Sequence, residues 1–123
     1  MIRNFLLVAL GGALGSVLRH TASLIIPAKH FPWPTLAVNI AGSFLIGLIL
    51  ALSTKEESFL YNWKLFLATG ICGGFTTFSA FSLENMELLQ NGKYLLAATY
   101  IALSVVLGIA AAFAGFKLIT INS

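Results

Sequence analysis

The sequence predicts an all-α integral membrane protein of four transmembrane helices, with a break in the third, and three observations lead there. Of its 123 residues 59% are hydrophobic and 9% charged, against roughly 25% charged in ordinary soluble domains. Mean hydropathy is +0.94, which leaves too little polar surface to keep a soluble domain dissolved. Four stretches are almost free of charge, each near the ~20 apolar residues that a spanning helix needs. The connections between them are short, so residues 1–123 read as a single four-span membrane domain. A water-soluble enzyme is excluded.

The first span is expected over about 4–26. Asn4 to Leu18 is uncharged, the pattern runs on through Arg19 and His20 to Ile26, and Pro27 and Pro32 mark a loop. Arg3 ahead of an apolar run has the look of a signal peptide, but the charge at Arg19 and the lack of a soluble mature domain favour an uncleaved helix. The second span is expected over about 34–54, ended by Lys55, Glu56 and Glu57. The third, about 63–90, has its most apolar part at Leu65 to Leu83 and continues weakly to Gln90. Asn91, Gly92 and Lys93 make the last turn, and the fourth span follows over about 94–117.

The net charge of +3 rests on seven basic residues scattered from Arg3 to Lys117. No run among them could track a phosphate backbone, so nucleic acid is not an expected partner. With four spans, Arg3, Lys55, Lys64 and Lys117 fall on the side of the termini, and Arg19, Lys29 and Lys93 on the other. Lys and Arg normally set orientation, and a bias of one residue does not. Two chains inserted opposite ways up could pair as an antiparallel, dual-topology homodimer; the alternative is one orientation fixed by other details. Four short helices fill their own centre with side chains, so transport favours an oligomer. The single cysteine, Cys72, rules out an intramolecular disulfide. His20 and His30 have no Cys, Asp or Glu at ligand spacing, so no metal site is expected there.

Gly11 and Gly15 form a G-x-x-x-G pair, and Ala111 and Gly115 a small-x-x-x-small pair, both read as sites of close helix packing. Asn39 is the only amide in the uncharged second span, followed by Gly42, Ser43 and Gly47. An intramembrane amide either bonds to a neighbouring helix or lines a pathway, and its N–H groups suit an anion. The strongest signal runs from Gly70 to Ser82, where adjacent glycines and threonines at mid-membrane are poor helix formers. They predict a break near 73–77, tolerated only if buried in protein or lining a cavity. The carbonyls and N–H groups freed there could hold a cation or an anion. Beyond it Phe78 and Phe81 share a helix face. Such rings usually pack in a core or against lipid, but their edges carry positive partial charge that could partner a small anion. Glu84 is the intramembrane carboxylate to watch; Glu87, near Gln90 and Lys93, reads as interfacial.

These blocks together resemble the Fluc family of bacterial fluoride channels, also called CrcB. The resemblance lies in Gly11-Gly12-Ala13-Leu14-Gly15 with Arg19; Thr35-Leu36-Ala37-Val38-Asn39 continuing to Gly42-Ser43-Phe44; Gly73 to Ser82 with Glu84; and a small-residue fourth span with Tyr100 and Ser104. It covers nearly the whole chain, and the third block is the most specific. Two positions depart from the family pattern: Pro34 where the family usually has Gly, which suits the first turn of a helix, and Ala80 where it has Thr between the two Phe residues. Ala80 removes a hydroxyl and puts any role for it in doubt.

The resemblance implies an antiparallel homodimer in the bacterial inner membrane with two fluoride pathways, exporting cytoplasmic fluoride passively. It further implies a structural Na⁺ held by backbone carbonyls of Gly73 and Thr76. Phe78 and Phe81 match the fluoride-facing rings, Asn39 the pore amide, and Ser82, Glu84, Tyr100 and Ser104 a polar track, with Arg19 in the vestibule. The rival reading is a small multidrug-type transporter, also of four spans and dual topology, but that family relies on a carboxylate in its first span and the first acid here is Glu56. A membrane enzyme would have only Glu84 and Glu87 to work with, and a purely structural subunit would have no reason to place Asn39, a broken helix and Glu84 together.

Overall fold

The computed structural model describes residues 1–27, 31–55 and 63–120. Helix α1 spans Ile2–Ile25 and α2 Trp33–Lys55. The third apolar stretch is composite: a π-wound segment α3, Leu65–Cys72, passes into a single turn α4, Gly73–Phe75, and α5 runs over Phe78–Gln90. Helix α6 spans Tyr94–Thr120. Four helical stretches are long and apolar enough to cross a membrane, with Leu65–Gln90 counted as one. The expected loop residues Lys29 and His30 and the expected interruption at Glu56 and Glu57 lie outside the described residues.

Two departures from the sequence reading stand out. Leu65–Cys72 is π-wound, a rare geometry that local composition does not announce. The glycines expected to lie in a break are helical, Gly73 having φ −63° and ψ −38°. Extended backbone is confined to Thr76 (φ −86°, ψ 155°) and Thr77 (φ −151°, ψ 122°). The β-branched pair, and not the glycine pair, leaves the helix, because Thr77 has other uses for its backbone and hydroxyl.

Glycine instead sets how closely the helices approach. Helix α1 packs on α3 and α4, and a Cβ on Gly11 would sit 2.8 Å from Gly70 Cα, one on Gly15 2.8 Å from Phe75 N. Helix α2 packs along α6 through Gly47, whose Cβ would stand 2.9 Å from Ala112 C, and Gly115, 3.1 Å from Leu48 N. Small residues let backbones touch where lipid provides no hydrophobic drive; on α6 the residue meeting Gly47 is Ala112, one place beyond the Ala111 singled out in the sequence. Helix α2 is the central element, burying Leu36, Val38, Ile49 and Ala51. Gly92, at φ +74°, takes the left-handed position after α5, and Lys93 N–H returns to Leu88 O at 2.8 Å to close the turn into α6.

Candidate functional site

The site grows from the two extended residues. In an unbroken helix Thr77 N–H would donate to Gly73 O; here it donates to Asn39 Oδ1 at 3.0 Å, and Asn39 Nδ2 returns a longer bond to Thr77 O at 3.4 Å. The amide orientation follows from its partners, since an N–H needs the oxygen and a carbonyl needs the NH₂. Thr77 also caps α5, its Oγ1 accepting from Ala80 N at 3.2 Å, which satisfies one of the open N–H groups at a helix start. That bond diverts Ala80 N–H from Thr76 O. Gly73 O and Thr76 O are thereby both left without the i+4 partner of a continuous helix. Thr76 turns its own hydroxyl back to Cys72 O at 2.8 Å.

On one side of this junction Asn39, Ser43, Thr77, Phe78, Phe81 and Ser104 are among the residues around an open groove of about 400 Å³. Phe78 is 78% exposed and lies 5.8 Å, centroid to centroid, from Phe81. Phe81 leans on Tyr100, centroids 5.0 Å apart, and Phe31 meets the same Tyr100 ring edge-on at 5.3 Å. Ser104 Oγ is buried without a hydrogen-bond partner.

Beneath the rings, Tyr100, fully buried, donates its hydroxyl to Glu84 Oε1 at 3.1 Å, and Thr35 donates to Glu84 Oε2 at 3.0 Å. One carboxyl group therefore joins α2, α5 and α6. On the opposite side Arg19 donates to Gly74 O at 3.4 Å and shares a smaller cavity of about 210 Å³ with Thr35 and Thr77.

Of the residues singled out in the sequence, Asn39, Phe78, Phe81 and Ser104 share the open groove. Glu84 and Tyr100 join it through the Phe81 ring, Arg19 lies behind the junction, and Gly73 and Thr76 form its backbone. Ser82 lies apart, in a second groove between α5 and α6 with Asn85 and Tyr94. The sequence reading missed Thr35 as a partner of Glu84, though it quoted the residue in a matching block; a threonine in the first turn of a helix reads as a cap. It also missed Thr77 as the backbone partner of Asn39, and Phe31. Among the described residues no cluster of His, Cys, Asp and Glu could hold a metal ion.

Four apolar helical stretches define a multi-pass membrane protein, and the groove bordered by Asn39, Ser43, Thr77, Phe78, Phe81 and Ser104 is the site that its polar junction opens onto. The chain belongs to the CrcB family: the model described as CrcB-like protein, Camphor Resistance (CrcB), matches residues 6–116. It is 50% identical over 118 residues to a protein of Agrobacterium fabrum named fluoride-specific ion channel FluC, with 94% of each chain covered. A protein of the same name from Leptospira interrogans is 47% identical over 120 residues, covering 95% of this chain and 94% of that one. Another from Hyphomonas neptunium is 50% identical over 119 residues, with 93% of each covered.

Proposed function

We propose that this chain is a fluoride channel of the bacterial inner membrane, working as an antiparallel, dual-topology homodimer that lets cytoplasmic fluoride leave passively. The observation that carries the reading is the meeting of Phe78, Phe81 and Asn39 around one groove, in a chain half identical to proteins named fluoride-specific channels. Fluoride is small and holds its water tightly, so a pathway must replace that shell with donors at several weak sites. The edges of Phe78 and Phe81 offer positive partial charge. The second N–H of Asn39 and the hydroxyl of Ser104 offer hydrogen bonds. The hydroxyls of Thr35 and Tyr100, now given to Glu84, keep that carboxyl group from facing the path bare.

Two features support a second copy. Phe78 projects from the single chain with 78% of its surface uncovered, and a ring at the centre of a pathway needs a wall opposite it. The charge bias of one residue allows that copy to lie the other way up. A structural Na⁺ between the copies is part of the same reading. Sodium is a hard cation that takes oxygen ligands, and carbonyls at the ends of broken helices serve that role. Gly73 O and Thr76 O are free of the helix ladder because Thr77 and Ala80 donate elsewhere. Gly73 has open space in front of it, a Cβ there meeting only Ala68 O at 3.8 Å. Two such carbonyls from each copy would make an oxygen cage.

Expression of the chain in a bacterium stripped of its own fluoride exporter tests the reading. Growth in fluoride-containing medium is expected to be restored. Protein present in the membrane with no restoration would overturn it.

A further inference from the structure

Gly42 is buried on α2, one turn beyond Asn39, and the pathway described above gives it no task. A Cβ there would overlap a side-chain atom, the Cγ2 methyl of Thr76. Each of the other glycines with so close a neighbour would instead meet main-chain atoms of another helix. Beyond the methyl, the next nearest atoms to a Cβ at Gly42 are Thr76 Cβ and Phe75 Cδ2, both at 3.6 Å, an ordinary contact. The missing side chain of Gly42 thus makes room for one methyl group of the extended segment.

That methyl has little freedom to go elsewhere. A β-branched side chain has few χ1 positions, and the Thr76 hydroxyl selects one of them by donating to Cys72 O at 2.8 Å. With Oγ1 held there, Cγ2 sits against Gly42, and turning it away gives up the hydrogen bond. Thr76 is therefore held twice, by its hydroxyl to its own helical stretch and by its methyl to α2. Thr77, the next residue, donates its N–H to Asn39 Oδ1 at 3.0 Å. Asn39 and Gly42 are three apart and share a face of α2. One helix face thus grips both extended residues, one by hydrogen bonds and the other by shape. Phe78 follows at the start of α5, beside the same groove that Gly42 and Thr76 border.

We propose that Gly42 is a positioning residue of the fluoride pathway: by taking in the Thr76 methyl it registers the extended pair against α2, and so sets where the Phe78 ring stands in the groove. The inference rests on the fluoride-channel reading. A methyl added at position 42 leaves the segment two ways out. Thr76 can rotate and release Cys72 O, or the pair can back away from α2 and stretch the bond between Thr77 and Asn39. Each loosens the chain immediately ahead of Phe78.

The test uses the full chain in proteoliposomes, with Gly42→Ala, Thr76→Ser and the two combined, and reads fluoride efflux per assembled protein. Gly42→Ala is expected to slow efflux about tenfold, the consequence of losing one hydrogen bond at the junction. Thr76→Ser removes Cγ2 and keeps the hydroxyl for Cys72 O. The combined variant is therefore expected to conduct within about twofold of Thr76→Ser alone, the non-additivity of two groups that compete for one space. Unchanged efflux per assembled Gly42→Ala protein, even with a lowered thermal midpoint, would reduce the residue to packing and overturn the inference. So would an equal loss in both backgrounds, since the new methyl would then act by narrowing the groove it borders. Should Gly42→Ala fail to assemble, adding Thr76→Ser is expected to restore assembled, conducting protein, and no recovery would overturn the inference. All these outcomes leave the channel reading intact; absence of efflux from the unmodified chain would sink that reading and this inference with it.

Discussion

Asn39 and Thr77 are joined in both directions, Thr77 N–H to Asn39 Oδ1 at 3.0 Å and Asn39 Nδ2 to Thr77 O at 3.4 Å. One side chain of α2 thus takes the place of the helix ladder where the third stretch is extended. Asn39 supports the backbone and also borders the groove, so the packing and pathway readings of this residue are not exclusive.

Substitution at Asn39 should separate those two tasks. Asn39→Asp keeps an acceptor for Thr77 N–H but, when ionised, repels both Thr77 O and a passing anion; fluoride efflux should fall by an order of magnitude or more while the protein still assembles. Asn39→Ala strands the Thr77 N–H, at a cost of about 1–3 kcal/mol if unsatisfied, while Thr77 O keeps its place as the N-cap carbonyl of α5, and should lower the thermal midpoint in detergent more than Asn39→Asp does. Equal efflux from Asn39→Asp and the unmodified chain would reduce the residue to packing.

The two phenylalanines should respond differently in stability and alike in flux. Phe81 leans on Tyr100 at 5.0 Å, so Phe81→Ile loses an aromatic pair worth about 0.5–1.5 kcal/mol. Phe78 is largely uncovered in the single chain, so Phe78→Ile should cost the fold little. Both remove a positive ring edge and should cut efflux strongly. Size-exclusion profiles and efflux on the same samples check this, and a Phe78→Ile protein conducting at the unmodified rate would count against ring-edge recognition.

Tyr100→Phe tests the group around Glu84. The ring contacts with Phe81 and Phe31 remain, but Glu84 Oε1 loses the donor now 3.1 Å away, at a cost of about 1–3 kcal/mol. Thermal stability and efflux should both fall, with Thr35→Val acting in the same direction through Oε2. If neither variant differs from the unmodified chain, the hydroxyl pair has no part in holding the carboxyl group.

The glycines divide into those that seat helices within a chain and those with open space before them, Gly12 and Gly73 among the latter. Gly15→Ala would place Cβ 2.8 Å from Phe75 N, backbone that cannot yield, and overpacking of this kind costs about 1–3 kcal/mol. Gly12→Ala meets nothing within 4 Å and should be mild. Gly73→Val has room within its own chain and should leave a folded monomer while breaking the dimer, read by glutaraldehyde cross-linking in membranes. A cross-linked dimer of Gly73→Val at unmodified yield would contradict the central position given to Gly73.

The four helical stretches were legible because lipid imposes length and apolarity on each span, and the Asn91-Gly92-Lys93 turn because Gly92 supplies a left-handed residue. The candidate site was legible as a set of residues but not as bonds. Asn39 announces itself as a polar group in hydrocarbon, whereas its pairing with Thr77 depends on which backbone groups the fold frees. Thr35 is silent for the same reason, its value arising only when α6 brings Tyr100 to the other oxygen of Glu84. The limits of the extended segment could not be read from propensity, because Gly73 and Gly74 suit a break in isolation yet continue the helix beyond the π-wound segment, Gly74 packed against Gly12 of α1. Gly42 stood out only as a small residue after Asn39, since sequence cannot show that its missing side chain makes room for the Thr76 methyl.

The most direct measurement is anion efflux from liposomes containing only this purified chain, followed with fluoride- and chloride-selective electrodes on the same preparation. The account predicts rapid, passive fluoride release, collapsed by Phe78→Ile, with chloride retained. Fluoride held as tightly as in protein-free liposomes, or chloride released alongside it at a similar rate, would contradict it.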